Sequence, residues 1–232
     1  MDILFEDNHI IVVKKPQNVP SQEDASGDKD MLTMVKEYIK EKYNKPGNVF
    51  VGLVHRLDRP TGGVMVFAKT SKAASRLSEE LASGDMEKIY FAVVVGAPKN
   101  DRGRLVHYLK KNSTTNTVET VPMMTEGAKK AELDYEVIEK VTGYSLVKIH
   151  LLTGRSHQAR VQMLSMGTPI YGDSKYQKTG RITKDLHLFA VELKFNHPIT
   201  KERMVFKCYP DESETSKWSL FNLPKHIEVG TR

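Results

Sequence analysis

The chain has a single cysteine among its 232 residues, Cys208, so it can neither close an intramolecular disulfide nor build a cysteine zinc cluster. It has no run approaching the ~18 to 20 apolar residues that cross a bilayer. In the opening MDILFEDNHIIVVKKP, acids precede the apolar stretch and lysines follow it, the reverse of a secretory signal, and no small-residue cleavage site is present. A cytoplasmic location without membrane attachment is the expectation. The chain also lacks internal repeats, low-complexity tracts and a convincing linker. Its histidines form no HExxH or HxH ligand spacing: His55, His107 and His157 are scattered, as is Asp173, which excludes a recognisable metal site. What remains, 39% hydrophobic and 28% charged residues, suits a globular protein with a real core.

The net charge of +6 is unevenly placed. Residues 51–190 hold 21 Lys/Arg against 14 Asp/Glu, whereas residues 1–50 hold 7 against 9 and residues 191–232 hold 7 against 6. A basic surplus confined to the middle suits a polyanionic partner, although a solvated basic face would look the same.

ILFEDNHIIVVKKP reads as two strands around a turn at Asp7-Asn8, closed by Pro16. After a polar loop over residues 20–30, Asp30 caps a helix in which Met31, Met34, Val35, Tyr38 and Ile39 recur at helical spacing. NVFVGLVHRL and GVMVFAKT read as strand, loop, strand, with Asp58 near the junction. Ser71 can cap a helix through Leu81, and KIYFAVVVG is a further strand. Residues 112–128 are polar, a hairpin tip or mobile loop. LDYEVIEKV and YSLVKIHLL flank Thr142-Gly143 as a hairpin. Thr153-Gly154 turns into a helix from about Ser156 to Met166, and LHLFAVELKF and MVFKCYP are late strands. Strands outnumber helices and hairpins join them, so the expected class is α+β, with a mixed, largely antiparallel sheet and flanking helices.

Two segments carry chemistry-bearing side chains. In His55-Arg56-Leu57-Asp58-Arg59-Pro60-Thr61-Gly62-Gly63, a strand ends in an acid followed by a Pro/Gly turn. By itself such an aspartate is more often a cap for turn N–H groups than a catalytic group. In LLTGRSHQARVQ, a tight turn presents Arg155 at a helix start, with His157 and Arg160 three apart and Gln158 and Gln162 four apart. These rows suit phosphates or a carboxylate, or a solvated helix face.

Taken together, HRLDRPTGGVMVFAKT, KIYFAVVVG and LLTGRSHQARVQ resemble the three signature stretches of the RluA-type pseudouridine synthases, in order and at similar separations. ILFEDNHIIVVKKP, PIYGDSKY and LHLFAVELKFNHP resemble the flanking text, so the likeness runs from about residue 3 to residue 210. Departures are small: Gly62-Gly63 where Ser-Gly is common, and Ala159 where Ile is common. The resemblance implies the pseudouridine synthase fold, two lobes around a central cleft, as a single catalytic domain over residues 1–232 with no separate N-terminal RNA-binding module. It implies isomerisation of uridine in transfer or ribosomal RNA, with no cofactor and no metal. Asp58 matches the catalytic aspartate, Tyr90 the tyrosine that packs on the target base, Arg155 the arginine that pairs with the carboxylate, and Arg56 the position associated with unstacking the target nucleotide. Further RNA contacts are expected from His55, Arg59, His157, Gln158 and Arg160, and from the basic clusters of Arg102, Arg104, Lys110 and Lys111 and of Lys175, Lys178, Arg181 and Lys184. A monomer is the default.

Three other readings compete. A nucleoside glycosidase normally needs two carboxylates, and only Asp58 lies in a motif, with Asp173 distant. A metal-dependent nuclease lacks ligand spacing. A non-catalytic RNA-binding protein on the same fold would have lost the Asp, Tyr or Arg of the motifs, and all three are present.

Overall fold

The computed structural model describes residues 1–176, 185–211 and 216–223. In chain order the elements are β1 (Asp2–Glu6), β2 (Ile10–Lys15), α1 (Met31–Lys42), β3 (Gly52–Leu53), β4 (Gly62–Ala68), α2 (Ser71–Ser83), β5 (Glu87–Val95), β6 (Arg102–Asn112), β7 (Thr117–Val121), β8 (Lys129–Val141), β9 (Tyr144–Leu151), α3 (Gln158–Ser165), β10 (Leu188–Asn196), β11 (Arg203–Lys207) and a short 3-10 turn, Lys217–Leu220. The α+β expectation holds, and every strand pairing whose register is resolved is antiparallel. The chain divides into two compact units, Met1–Glu87 with Ala190–Cys208, and Lys88–Phe189 with Tyr209–Arg232.

The first unit is built on β2 and β4, paired from Ile10 opposite Ala68 to Lys15 opposite Gly63. Ile10 to Val13 and all seven residues of β4 are buried, so both faces of these strands are covered, and they read as unbroken apolar runs rather than alternating ones. β1 extends the sheet beyond β2 and β11 pairs with β10. Helix α1 buries Met31, Val35 and Ile39, one stripe at four-residue spacing. Its cap is Asp30, as the sequence predicts, with the carboxylate accepting from Thr33 N at 3.0 Å. Helix α2 departs from expectation: the cap is Thr70 rather than Ser71, and the helix runs to Ser83 before Gly84 ends it in the left-handed region.

The second unit orders its strands β5-β9-β8-β6-β7. Thr142-Gly143 joins β8 and β9, as predicted. Two expectations are sharpened or changed. The polar stretch 112–128 holds a hairpin tip, one of the two alternatives read for it, followed by β7, which pairs with β6 from Tyr108 opposite Val121 to Asn112 opposite Thr117. Val118 is its inward residue and joins a small core with Leu109, Ala131 and Val161. Helix α3 begins at Gln158, later than predicted, because His157 adopts a left-handed backbone with φ 51°. Similarly, NVFVGLVHRL in the first unit forms a strand only at Gly52–Leu53, leaving residues 54–61 as an irregular segment leading into β4.

Candidate active site

In the first unit, the turn that carries Asp58 is held from below by side chains of residues 15–21. Lys15 ends β2 fully buried, and its Nζ donates to the backbone oxygens of Pro16 (2.9 Å), Val19 (2.5 Å) and Arg59 (3.0 Å). Gln17 Nε2 donates to Pro60 O at 3.0 Å. Ser21 Oγ donates to Leu57 O at 2.7 Å and accepts from Leu57 N at 3.1 Å. Thr61 N closes the turn on Asp58 O at 2.9 Å. Carbonyls on both sides of Asp58 therefore have fixed donors, which holds the backbone of the turn. Burial pushes the Lys15 ammonium down to about 7 while the negative charge of Asp58 pulls the other way, so the two groups interact electrostatically.

The strand that follows the turn is fixed by glycine. Gly63 has φ +131°, and a Cβ there would lie 2.3 Å from Ala190 O. Only a residue without a side chain lets β4 begin this close to the neighbouring backbone.

Of the other residues read from this segment, Arg56 is exposed. Arg59 donates to Ser26 Oγ at 2.7 Å and pairs with Asp24 and Asp28. His55 is 9% exposed, and its Nε2 accepts from Val66 N at 3.1 Å, so the imidazole braces β4.

In the second unit, Tyr90 lies buried on β5 opposite Ile149. Arg155 is exposed, and its Nε donates to Lys130 O at 3.0 Å. Gln158 staples the turn before α3: its Oε1 accepts from Thr153 Oγ1 (2.7 Å) and Arg155 N (3.0 Å), and its Nε2 donates to Glu132 O (2.9 Å). Arg160 forms two hydrogen bonds to Asp173, and His157 Nδ1 lies 2.6 Å from Tyr176 Oη, which accepts from Val118 N at 2.8 Å. Of the partners the sequence offered for these rows, a carboxylate is the one Arg160 takes within the fold. His157, Gln158, Arg160 and Gln162 are all buried, and the polar groups of this helix bind the strands and the turn at residues 170–176. A short helix with inward polar groups has the same sequence pattern as one with outward polar groups.

Lys110 and Lys111 are exposed on β6. Arg104 is engaged with Asp134 at 2.7 and 2.8 Å, and Lys175 Nζ donates to Asn116 O at 2.9 Å, closing the hairpin tip. Lys178, Arg181 and Lys184 lie outside the described residues. Among the described residues no group of three or more His, Cys, Asp or Glu side chains is arranged to hold a metal, and no helix is long and apolar enough to cross a membrane.

The family model for RNA pseudouridylate synthases matches residues 9–165, which contain both turns. The chain belongs to that family. It is 33% identical over 228 residues to ribosomal large subunit pseudouridine synthase D of Vibrio cholerae, covering 91% of this chain and 68% of that protein. It is 33% identical over 217 residues to the dual-specificity RNA pseudouridine synthase RluA of Haemophilus influenzae, covering 91% and 94%. The solved structure of human RNA pseudouridylate synthase domain containing 4 superposes with a TM-score of 0.74 at 23% identity, covering 90% of this chain and 88% of that chain, a likeness of fold. The chain is thus an RNA pseudouridine synthase of the RluA type.

Sequence reasoning missed the residues that hold this synthase's turns: Lys15, Gln17, Ser21 and, in its stapling role, Gln158. For Lys15 a signal existed, since a lysine ending an apolar run of four and preceding proline is poorly placed for solvent. For Gln17 and Ser21 nothing in the polar text around them marks which side chains turn inward.

Proposed function

We propose that Asp58 is the catalytic carboxylate with which this synthase isomerises selected uridines of structured RNA. The N1–C1′ bond breaks, the base turns, and C5 joins C1′. Atoms are conserved and no electrons are gained or lost, so the reaction as written calls for no redox partner or activated donor. It calls for a carboxylate oxygen beside the ribose, either attacking C1′ or removing the 2′ proton. The observation that carries this reading is the clamp under the Asp58 turn. Three donors from residues 15–21 fix it, and a buried ammonium lies within electrostatic reach of the acid. An ordinary Asx cap needs no such framework.

Tyr90 packs on the uracil and Arg155 pairs with the carboxylate, the roles that the family resemblance gives them; a stacked base is worth roughly 1 to 3 kcal/mol. The target base leaves its stack at a cost of a few kcal/mol, lowest in loops and bulges. Arg56 serves in that unstacking, the role that the family resemblance gives it, and Lys110 and Lys111 are phosphate contacts that offset the cost; all three are exposed. His55, His157, Gln158 and Arg160 act as framework. The RNA is of the ribosomal or transfer class; synthase D is named for the ribosomal large subunit and RluA for dual specificity. The whole of residues 1–232 serves as one catalytic domain.

The test is Asp58→Asn. Tritium release from RNA carrying 5-tritiated uridine should vanish while RNA binding changes little, and normal release would end the proposal. A nucleoside glycosidase would instead liberate free uracil, and its second carboxylate is hard to supply, because Asp173 is engaged by Arg160. Mapping pseudouridine in cellular RNA with and without the gene identifies the target.

A further inference from the structure

Among the described residues, two of the lysines most withdrawn from water are well supplied with acceptors. Lys15 donates to three carbonyls, and Lys69 Nζ meets Glu6 at 2.6 Å and Asp7 O at 2.5 Å. Lys88 differs. It opens the second unit on β5, two residues before Tyr90, so both side chains leave the same face of the strand. It is largely shielded from solvent, and among the described residues no group accepts a hydrogen bond from its ammonium or pairs with it. Its neighbour is the turn that presents Arg155: a methyl group on Gly154 would come within 4.0 Å of the Lys88 Nζ. Burial lowers its proton affinity, and no nearby acid opposes that effect.

A partly desolvated cation without a counterion is unfavourable in the free protein, and a fold keeps one where an anion arrives with a ligand. If the chain acts on RNA as proposed above, the arriving anions are phosphodiesters, since RNA has no other anionic group near neutral pH. We propose that Lys88 is a phosphate-binding residue, taking a backbone phosphate of the RNA beside the nucleotide served by Tyr90 and Arg155. The glycine at position 154 fits this role, because it leaves the approach to the ammonium free of a side chain. Unlike the exposed Lys110 and Lys111, Lys88 binds its phosphate out of bulk water, where a charge-assisted hydrogen bond counts for more.

The experiment compares wild type with Lys88→Met and Lys88→Arg, binding a fluorescent RNA stem-loop with an all-uridine loop across a salt series. Lys88→Met should weaken binding about tenfold, the effect of one charged hydrogen bond. It should also flatten the slope of log affinity against log salt by about 0.7 to 0.9, the effect of one phosphate. Lys88→Arg should keep most of the slope. The melting temperature of Lys88→Met should equal or exceed that of wild type, since a stranded cation is removed. An unchanged slope in Lys88→Met, or a lowered melting temperature with normal RNA binding, overturns the assignment and makes Lys88 structural. Should Lys88→Met not fold, Lys88→Gln is read by the same slope. Wild type that releases no tritium from any uridine-labelled RNA would overturn the proposed function instead, so the two failures are separable.

Discussion

The guanidinium of Arg160 grips the carboxylate of Asp173 through Nε to Oδ2 at 2.8 Å and Nη2 to Oδ1 at 2.6 Å, with 5% and 2% of the two side chains exposed. The same carboxylate accepts from Lys175 N and Tyr176 N, and the ring of Tyr176 lies 5.1 Å from the guanidinium. Helix α3, which follows the Arg155 turn, is thereby joined to residues 170–176. Removing one member strands a buried charge, so Arg160→Met should destabilise by about 3 to 5 kcal/mol. Urea unfolding measures it; a loss below about 1 kcal/mol would mean that the pair is hydrated in solution.

Lys15→Met should leave the carbonyls of Pro16, Val19 and Arg59 without their donor, at about 1 to 3 kcal/mol for each buried group that finds no water. Because one of those carbonyls is in the Asp58 turn, kcat should fall more than RNA affinity does. Equal loss in both would argue against a positioning role.

The same lysine sets a pH dependence. Its ammonium is held at about 7 when folded, against 10.5 as the ordinary value, so between these pH values the unfolded chain binds the extra proton. The Lys15 contribution to stability therefore rises with pH across that window and is flat below it. Unfolding of wild type compared with Lys15→Met from pH 6 to 10 should show wild type gaining relative to the variant as pH rises. Loss of the ammonium also removes a cation near Asp58 and leaves one of three carbonyls without a donor. Turnover should decline over the same range.

Glu6 gives the opposite sign. Burial alone would raise its pKa, but hydrogen bonds from Lys42, Lys69, Tyr43 and Tyr38 hold it at about 2. Its carboxylate is 7% exposed, so the stabilisation, on the order of 3 kcal/mol, is present above pH 4.5 and lost as pH falls toward 2. Glu6→Gln should be less stable at pH 7 and show a shallower acid limb. Coincident acid limbs would mean that the cluster is loose in solution.

Gly63→Ala should not yield a stable fold, with a cost above 4 kcal/mol, because the added carbon meets the Ala190 backbone and the φ of +131° is unfavourable for any L side chain. Gly143→Asn is the control. Its φ is +80° with open space around it, and a loss of about 1 kcal/mol or less is expected. Expression and thermal unfolding of the pair decide the matter, and similar behaviour of the two would refute the close-approach argument.

Much of the fold could be read from local text. The strand pair around Asp7-Asn8, the Asp30 cap and the Thr142-Gly143 hairpin each depend on residues adjacent in sequence, and each formed where the pattern put it. The family was legible for a similar reason, since its motifs are short continuous strings. Less legible were choices that local text leaves open. The polar stretch 112–128 does not mark where β7 begins, and Thr70 and Ser71 offer the same hydroxyl cap one position apart.

By itself, then, the sequence determined the α+β class, the family and the identity of the motif residues, because strand periodicity, turn chemistry and motif spacing are properties of neighbours along the chain. Only the tertiary structure decided which polar side chains of those motifs turn inward. His55, His157, Gln158 and Arg160 brace the fold, and Lys15 emerged from an apolar strand as the donor beneath Asp58. The physical reason is that a buried polar group must find a hydrogen-bond partner, and that partner is chosen by proximity in space across tens of residues, where the order of amino acids carries no local mark.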